Sequence, residues 1–163
     1  MQKNLATYWI NKAYNEKWAI GMFNAHHLES FHAISRAANN TKSPLMISTT
    51  MGGIEHVGLN YFVKMAEAAR QNSKVPLILH LDHGAHYEII HECIDAGFNS
   101  IMIDASFESY DENVSIVRKD NEDFVFKTKN TCFSPKTKRE ENNDEKLRCP
   151  TTKLKITSQV NWI

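Results

Sequence analysis

An acid, two imidazoles and a glycine stand together in the segment His80-Leu81-Asp82-His83-Gly84. They follow the apolar run 75–79, which predicts a buried strand. At the end of a strand, polar side chains are held by a rigid backbone, and the glycine lets the loop turn. The segment is therefore a candidate functional site.

Polar side chains also follow three other predicted strands. Asn24 follows the run 18–23, Thr50 follows 44–47, and Asp104 follows 100–103. Ligand sites of closed barrels and of doubly wound sheets lie at the carboxyl ends of parallel strands, so these residues extend the candidate site. The alternative is that loops are simply polar, which explains Asn24 better than it explains the paired Asp82 and His83.

The elements that position these residues follow from the apolar periodicity. Helical spacing predicts helices over 4–17, 28–40, 59–71 and 87–96, with Gly97 as the C-terminal cap of the last. Short apolar runs predict strands over 18–23, 44–47, 75–81 and 100–103, the first buried on both faces. Gly52-Gly53 predicts a loop with positive φ. A strand followed by a helix about every 25–30 residues predicts an α/β fold with a parallel sheet.

The character of the sequence changes near residue 118. No histidine follows His91, no glycine follows Gly97 and no alanine follows Ala105. Packed strand-helix units need small residues for turns and close contacts. We therefore predict a first domain over 1–118 and a divergent, mostly disordered tail over 119–163. The alternative is a small β element built from the apolar islands 124–126 and 154–156.

The bulk composition excludes several classes of protein. The 163 residues have zero formal net charge, which argues against nucleic-acid and acidic-membrane partners. No apolar run approaches the roughly 18 residues that cross a bilayer, and the start of the chain is not signal-like. Cys93, Cys132 and Cys149 lack paired metal spacing, and Cys93 lies on an apolar helix face as a structural thiol. We expect a cytoplasmic protein.

Four segments, in this order, resemble the zinc-dependent class II ketose-bisphosphate aldolases, especially the fructose- and tagatose-bisphosphate branch: 22–29, 43–47, 80–84 and 97–106. The resemblance covers residues 1–118. It implies a (β/α)8 barrel of the TIM type, of which this chain holds about the first four β/α units. It also implies reversible cleavage of a ketose 1,6-bisphosphate to dihydroxyacetone phosphate and glyceraldehyde 3-phosphate.

The resemblance also implies roles for single residues. His83 matches a zinc ligand, and Asp82 matches the acid/base that transfers the proton. Asp104 matches a position that can bind a second metal ion. Thr50 matches a hydroxyl position that contacts the aldehyde half of the substrate, and Asn24 matches a rim asparagine.

Two features depart from the family pattern. His27 stands where the family often has asparagine, and only one zinc ligand is matched where a catalytic zinc needs about three. The remaining histidines and the phosphate loops come from later strands of the family's barrel. Substitute ligands from His80 with His86, or from His26 with His27, are a less favoured alternative.

The sequence therefore predicts a chain that stops resembling an aldolase after about four of eight units, as a truncated gene, a retained intron or a frameshift would give. We expect it to be inactive alone. The alternatives are a non-catalytic half-barrel that pairs with itself or with an intact aldolase, and an unrelated open α/β sheet.

Overall fold

The computed structural model describes residues 5–116 and 131–134. Helices and strands alternate along these residues, and 110–116 are also helical. The elements are α1 (Leu5–Glu16), β1 (Gly21–Asn24), α2 (Leu28–Thr41), β2 (Leu45–Thr50), α3 (Met51–Val57), α4 (Leu59–Gln71), β3 (Leu77–Gly84), α5 (Tyr87–Asp95), β4 (Ser100–Asp104) and β5 (Thr131–Ser134).

The strands form one parallel sheet in the order β1-β2-β3-β4-β5. Spatial order thus repeats sequence order, with helical crossovers between the first four strands. A doubly wound sheet reverses its strand order at a switch point. The described sheet has no such reversal, which argues against the unrelated open sheet and agrees with a barrel.

One face of the sheet packs against the helices. Its core side chains come from alternate strand positions, and Phe31 of α2 and Phe62 of α4 lie over them with ring centroids 5.1 Å apart. Burying each such large apolar side chain stabilises the fold by about 1.5–3 kcal/mol. The strand residues of this helix-facing core are Leu45, Ile47, Leu77, Leu79, Leu81, Ile101 and Ile103.

The opposite face, which we call the inner face, carries the alternate positions of each strand. Residues paired in register on parallel strands point to the same side, so the register divides the inner face into layers. The lowest layer is apolar, with Met22, Met46 and Ile78. The middle layer is polar, with Asn24, Ser48, His80 and Ser100. The top layer pairs Thr50 with Asp82.

Most of the predicted elements are confirmed, but β1 is not buried on both faces. All four of its residues are exposed, including Met22 at 46% and Phe23 at 53%. In the described sheet only β2 pairs with it, so β1 is an edge strand. Continuous apolar character therefore did not distinguish an edge strand from a central one.

The Gly52-Gly53 pair does not form the predicted loop. Both residues lie in α3, a short helix that the sequence analysis missed, and neither has positive φ. A Cβ on Gly53 would collide with the imidazole of His26 and lie 2.5 Å from Thr49 Oγ1. Gly53 is thus explained by close packing rather than by backbone conformation.

Most residues of the predicted tail, 119–163, lie outside the residues that the structure describes. Residues 131–134 form β5 in parallel register with β4, which was not predicted. Both apolar islands, 124–126 and 154–156, lie outside the described residues. The domain boundary at 118 therefore stays a prediction.

Cys93 is fully buried on α5, as predicted for a structural thiol. Burial, followed by the charge of Glu92, raises the pKa of its thiol to about 12. None of the helices in the described residues has the length and apolar character required to span a membrane.

Candidate metal and proton-transfer site

The end of β3 is irregular, and this irregularity brings two adjacent side chains together. In a regular strand Asp82 and His83 would point to opposite faces. The register with β4 shifts between Leu81 and Gly84, and His83 has a φ of 56°, in the left-handed region. This conformation costs on the order of 1–2 kcal/mol for a residue with a side chain. It turns His83 toward the carboxylates of Asp82 and Asp104.

Gly84 is needed here for space and not for the turn itself. The sequence analysis placed the backbone turn at this glycine, but the positive φ belongs to His83. A Cβ on Gly84 would lie 2.9 Å from side-chain atoms of Ile90 and Leu81 and 3.2 Å from the carbonyl oxygen of Met102. The glycine thus lets β3 pack closely against α5 and β4.

The imidazole of His83 is fixed by Asp104. Its Nδ1 donates to Asp104 Oδ2 over 2.5 Å, and the backbone N–H of Ser106 donates to Asp104 Oδ1 over 3.0 Å. The hydrogen bond with Asp104 raises the pKa of His83. Burial alone would raise the pKa of Asp104, but the hydrogen bonds from Ser106 and His83 outweigh it and the pKa is lowered. Each shift therefore favours the ionised form of its group.

Asp82 lies on the other side of the same ring. Its Oδ1 is 3.8 Å from His83 Nε2, which is beyond hydrogen-bond distance. The Asp82 side chain is 17% exposed and that of His83 is 57% exposed. One imidazole therefore sits between two carboxylates at an end of the sheet that solvent reaches.

Thr50 and Asn24 occupy the same end of the inner face. Thr50 is paired in register with Asp82, and its Oγ1 accepts from the backbone N–H of Gly53 over 3.2 Å as the N-cap of α3. Asn24 is exposed at the end of β1, two strands from β3 and so about 10 Å away. The structure thus groups Thr50 and Asp82 closely and leaves Asn24 at the margin.

The substitute histidine ligands are not brought to this site. His27 caps α2, where its Nδ1 accepts from the backbone N–H of Ser30. His80 is buried beside Ser100, and His26 packs against Gly53. His86 is the N-cap residue of α5. Within residues 5–116 and 131–134, no three His, Cys, Asp or Glu side chains form a group that could hold a metal ion.

Sequence reasoning missed the polar layer directly below Asp82. Ser48 and Ser100 are buried on either side of His80. Ser48 lies two residues before Thr50 on β2, and Ser100 lies two residues before Met102 on β4. The signal was present, because alternate strand positions share a face and His80 is two residues before Asp82. The sequence analysis considered His80 as a substitute metal ligand and did not group it with Ser48 and Ser100.

Comparisons with known proteins confirm the resemblance in the motifs. The model of the family described as fructose-bisphosphate aldolase class-II matches residues 4–122. The fructose-bisphosphate aldolases of Helicobacter pylori (strain ATCC 700392 / 26695) and Geobacillus stearothermophilus are 38% and 40% identical to this chain over 109 and 110 residues. The crystal structure of the YdjI aldolase from Escherichia coli K12 matches with a TM-score of 0.67 and 36% identity, over 72% of this chain and 45% of that one.

The matches cover only part of the relatives. Each aligned stretch is 66% of this chain, but it is 36% of the Helicobacter aldolase and 38% of the Geobacillus aldolase. The chain thus spans about a third of the length of these relatives. Strands β1 to β4 lie within the matched residues, so these four strands form part of a (β/α) barrel. The chain belongs to the class II fructose-bisphosphate aldolase family.

Proposed function

We propose that this chain carries one part of a zinc-dependent aldolase site, with His83 as a metal ligand and Asp82 as the acid/base. The observation that supports it is the position of the His83 imidazole between Asp82 and Asp104 at an accessible end of the sheet. The reaction is reversible cleavage of a ketose 1,6-bisphosphate to dihydroxyacetone phosphate and glyceraldehyde 3-phosphate. We place it in carbohydrate metabolism, including glycolysis, and in the cytoplasm.

The chemistry of His83 fits a zinc ligand. A ligating histidine usually donates its second ring N–H to a carboxylate, which fixes the ring and increases its basicity. His83 donates from Nδ1 to Asp104, so its Nε2 lone pair is the one that would hold Zn²⁺. When bound, Zn²⁺ supplies Lewis-acid polarisation of the substrate ketone. Asp104 remains the candidate for a second metal ion.

The other residues have separate roles in this proposal. Asp82 takes the proton from the hydroxyl of the departing aldehyde during cleavage and returns it during condensation. Thr50, beside Asp82 in the register, contacts the aldehyde half of the substrate. Asn24 contacts the substrate from the margin of the site. Such roles need accurate positions, because proton transfer tolerates little displacement.

We also propose that this polypeptide alone has little aldolase activity. A catalytic zinc takes about three protein ligands, whereas the described residues offer one histidine at the site. The experiment measures cleavage of fructose and tagatose 1,6-bisphosphate by purified protein with added Zn²⁺. Turnover similar to that of a full-length aldolase would contradict the proposal.

Zinc binding tests the ligand assignment separately from catalysis. Isothermal titration should give weak Zn²⁺ binding that His83→Ala removes. His86→Ala is the matched control, because His86 is nearby on the chain but makes no side-chain cap hydrogen bond. Equal loss of binding in the two variants would contradict the assignment of His83.

A second candidate function is a non-catalytic half-barrel that associates with itself. The exposed edge strand β1, with Met22 and Phe23, favours it, because unpaired strand edges invite pairing with another chain. Sedimentation velocity of the wild type and of Phe23→Lys tests it. Phe107→Lys is the control, because Phe107 is 90% exposed but lies outside the strands. A monomeric wild type would exclude this function.

A further inference from the structure

The middle layer of the inner face is polar, and three of its four residues are almost completely buried. Ser48, His80 and Ser100 are 0%, 4% and 2% exposed, and they are paired in register across β2, β3 and β4. Buried polar groups are costly unless they form hydrogen bonds. This layer lies directly below Thr50 and Asp82, so its arrangement bears on the carboxylate above it.

Ser100 fixes the orientation of the His80 ring. The Oγ of Ser100 is 2.8 Å from His80 Nδ1, and burial lowers the pKa of His80, so the ring is neutral at neutral pH. A neutral imidazole has one donor and one acceptor nitrogen. If the Ser100 hydroxyl donates to Nδ1, the proton of His80 is on Nε2. The distal nitrogen is then a donor within the layer.

Ser48 provides the second observation. Its Oγ is completely buried, and no hydrogen-bond partner exists for it among the described residues. A buried hydroxyl without a hydrogen-bond partner destabilises the fold. Proteins commonly satisfy such groups with a buried water that has two to four polar partners. Ser48 is paired in register with His80, so a water between them would have both groups within reach.

Asp82 is the group that this layer would affect. His80 and Asp82 are two residues apart on β3 and therefore share the inner face. The two side chains also interact electrostatically, since the negative charge of Asp82 opposes the loss of the proton from His80. A donor on the distal nitrogen of His80 would therefore attract the Asp82 carboxylate on the same face.

We propose that His80 is a positioning residue for Asp82, held by Ser100 and linked through a buried water to Ser48. The role of Asp82 in proton transfer rests on the proposed function. The position of the Asp82 carboxylate does not rest on the proposed function, and it can be measured without substrate or metal.

Nuclear magnetic resonance of the metal-free full chain, with ¹⁵N-histidine and ¹³C-aspartate labels, tests the proposal. We expect ¹⁵N shifts of a neutral ring protonated on Nε2 for His80. Ser100→Ala should mix the two tautomers. A charged ring, or a neutral ring protonated on Nδ1, would overturn the proposal.

The effect on Asp82 is tested with paired variants. His80→Leu should shift the Asp82 carboxyl signal, and His80→Gln, which keeps an N–H near the distal position, should restore it. Ser48→Ala should shift the same signal and Ser48→Thr, which keeps the hydroxyl, should not. Unchanged Asp82 signals in His80→Leu and Ser48→Ala would overturn the proposal. Unchanged methyl signals of Ile90 and Ile103 show that the helix-facing core stays folded.

These signals separate the two proposals. Absence of zinc binding through His83, together with the expected ¹⁵N and ¹³C shifts, would contradict the proposed function alone. Zinc binding through His83 without those shifts would contradict the positioning role of His80 alone.

Discussion

His83 Nδ1 lies 2.5 Å from Asp104 Oδ2, so the left-handed residue next to the end of β3 is hydrogen-bonded to the last residue of β4. The carboxylate is 7% exposed, and the backbone N–H of Ser106 also donates to it. The imidazole therefore has a fixed orientation while most of its surface remains open to a metal ion or substrate.

Asp104→Asn should weaken zinc binding by about 10–100-fold, the usual effect of removing a carboxylate that orients a ligating histidine. The amide keeps the size of the side chain but removes the carboxylate whose hydrogen bond raises the pKa of His83. Isothermal titration with Zn²⁺ measures the change. Glu108→Gln removes a charge nearby on the chain and serves as the control. Unchanged affinity in Asp104→Asn would show that Asp104 does not support the ligand.

The same pair predicts a pH dependence of stability. The pKa of His83 is raised in the folded state, so its contribution is present below the unfolded-state pKa and is lost as pH rises through the folded-state pKa. The pKa of Asp104 is lowered, so its contribution is present above the unfolded-state pKa and is lost as pH falls through the folded-state pKa. The pair therefore contributes fully between the unfolded-state pKa of Asp104 and that of His83, and its contribution is lost beyond the two folded-state pKa values.

Urea unfolding of wild type and His83→Gln across the pH range measures this window. The difference in unfolding free energy between them should be largest between the two unfolded-state pKa values and should shrink toward both extremes of pH. A difference that is constant with pH would show that the pair does not ionise as proposed.

Gly84→Ala should destabilise the fold by about 1–3 kcal/mol, because the new methyl group is forced against Ile90, Leu81 and the Met102 carbonyl. Gly52→Ala is the matched control. A Cβ there meets no atom within 4 Å, and the residue is helical, so this change should stabilise by up to about 1 kcal/mol. Urea unfolding compares the two. Equal effects would contradict the close packing at Gly84.

His83→Val should be less stable than His83→Asn by about 1–2 kcal/mol. Both variants lose the imidazole, but asparagine tolerates the left-handed region and a β-branched side chain does not. The difference in unfolding free energy between the two variants, measured with urea, therefore gives the cost of the left-handed backbone conformation at this position. If the two variants have equal stability, His83 does not have positive φ in solution.

Much of the site could be predicted because the chemistry is local in sequence. Thr50, Asp82 and Asp104 all follow apolar runs, and parallel strands place their carboxyl ends together. The left-handed conformation of His83 could not be predicted, because it depends on the shifted register between β3 and β4. Nothing in the residue types around His83 signals that shift.

The fold prediction failed where a pattern has two physical explanations. An apolar run is compatible with a central strand and with an edge strand, so β1 was assigned to the wrong environment. A glycine indicates either unusual φ or lack of space, and Gly53 belongs to the second class. The environment of β1 and the reason for the glycine at position 53 both depend on residues distant in the sequence, which cannot be identified from the local sequence.

The strict alternation between the two faces of the sheet determines where this sequence can change length. Ile47 faces the helices, whereas Ser48 and Thr50 face the site. Deleting one residue early in β2 would exchange these faces, placing hydroxyl groups in the apolar core and removing Thr50 from beside Asp82. Side chains in the loops between elements do not alternate between the two faces of the sheet, so a change in loop length does not exchange these faces. Insertions and deletions should therefore be tolerated singly in the loops, and in the strands only in pairs.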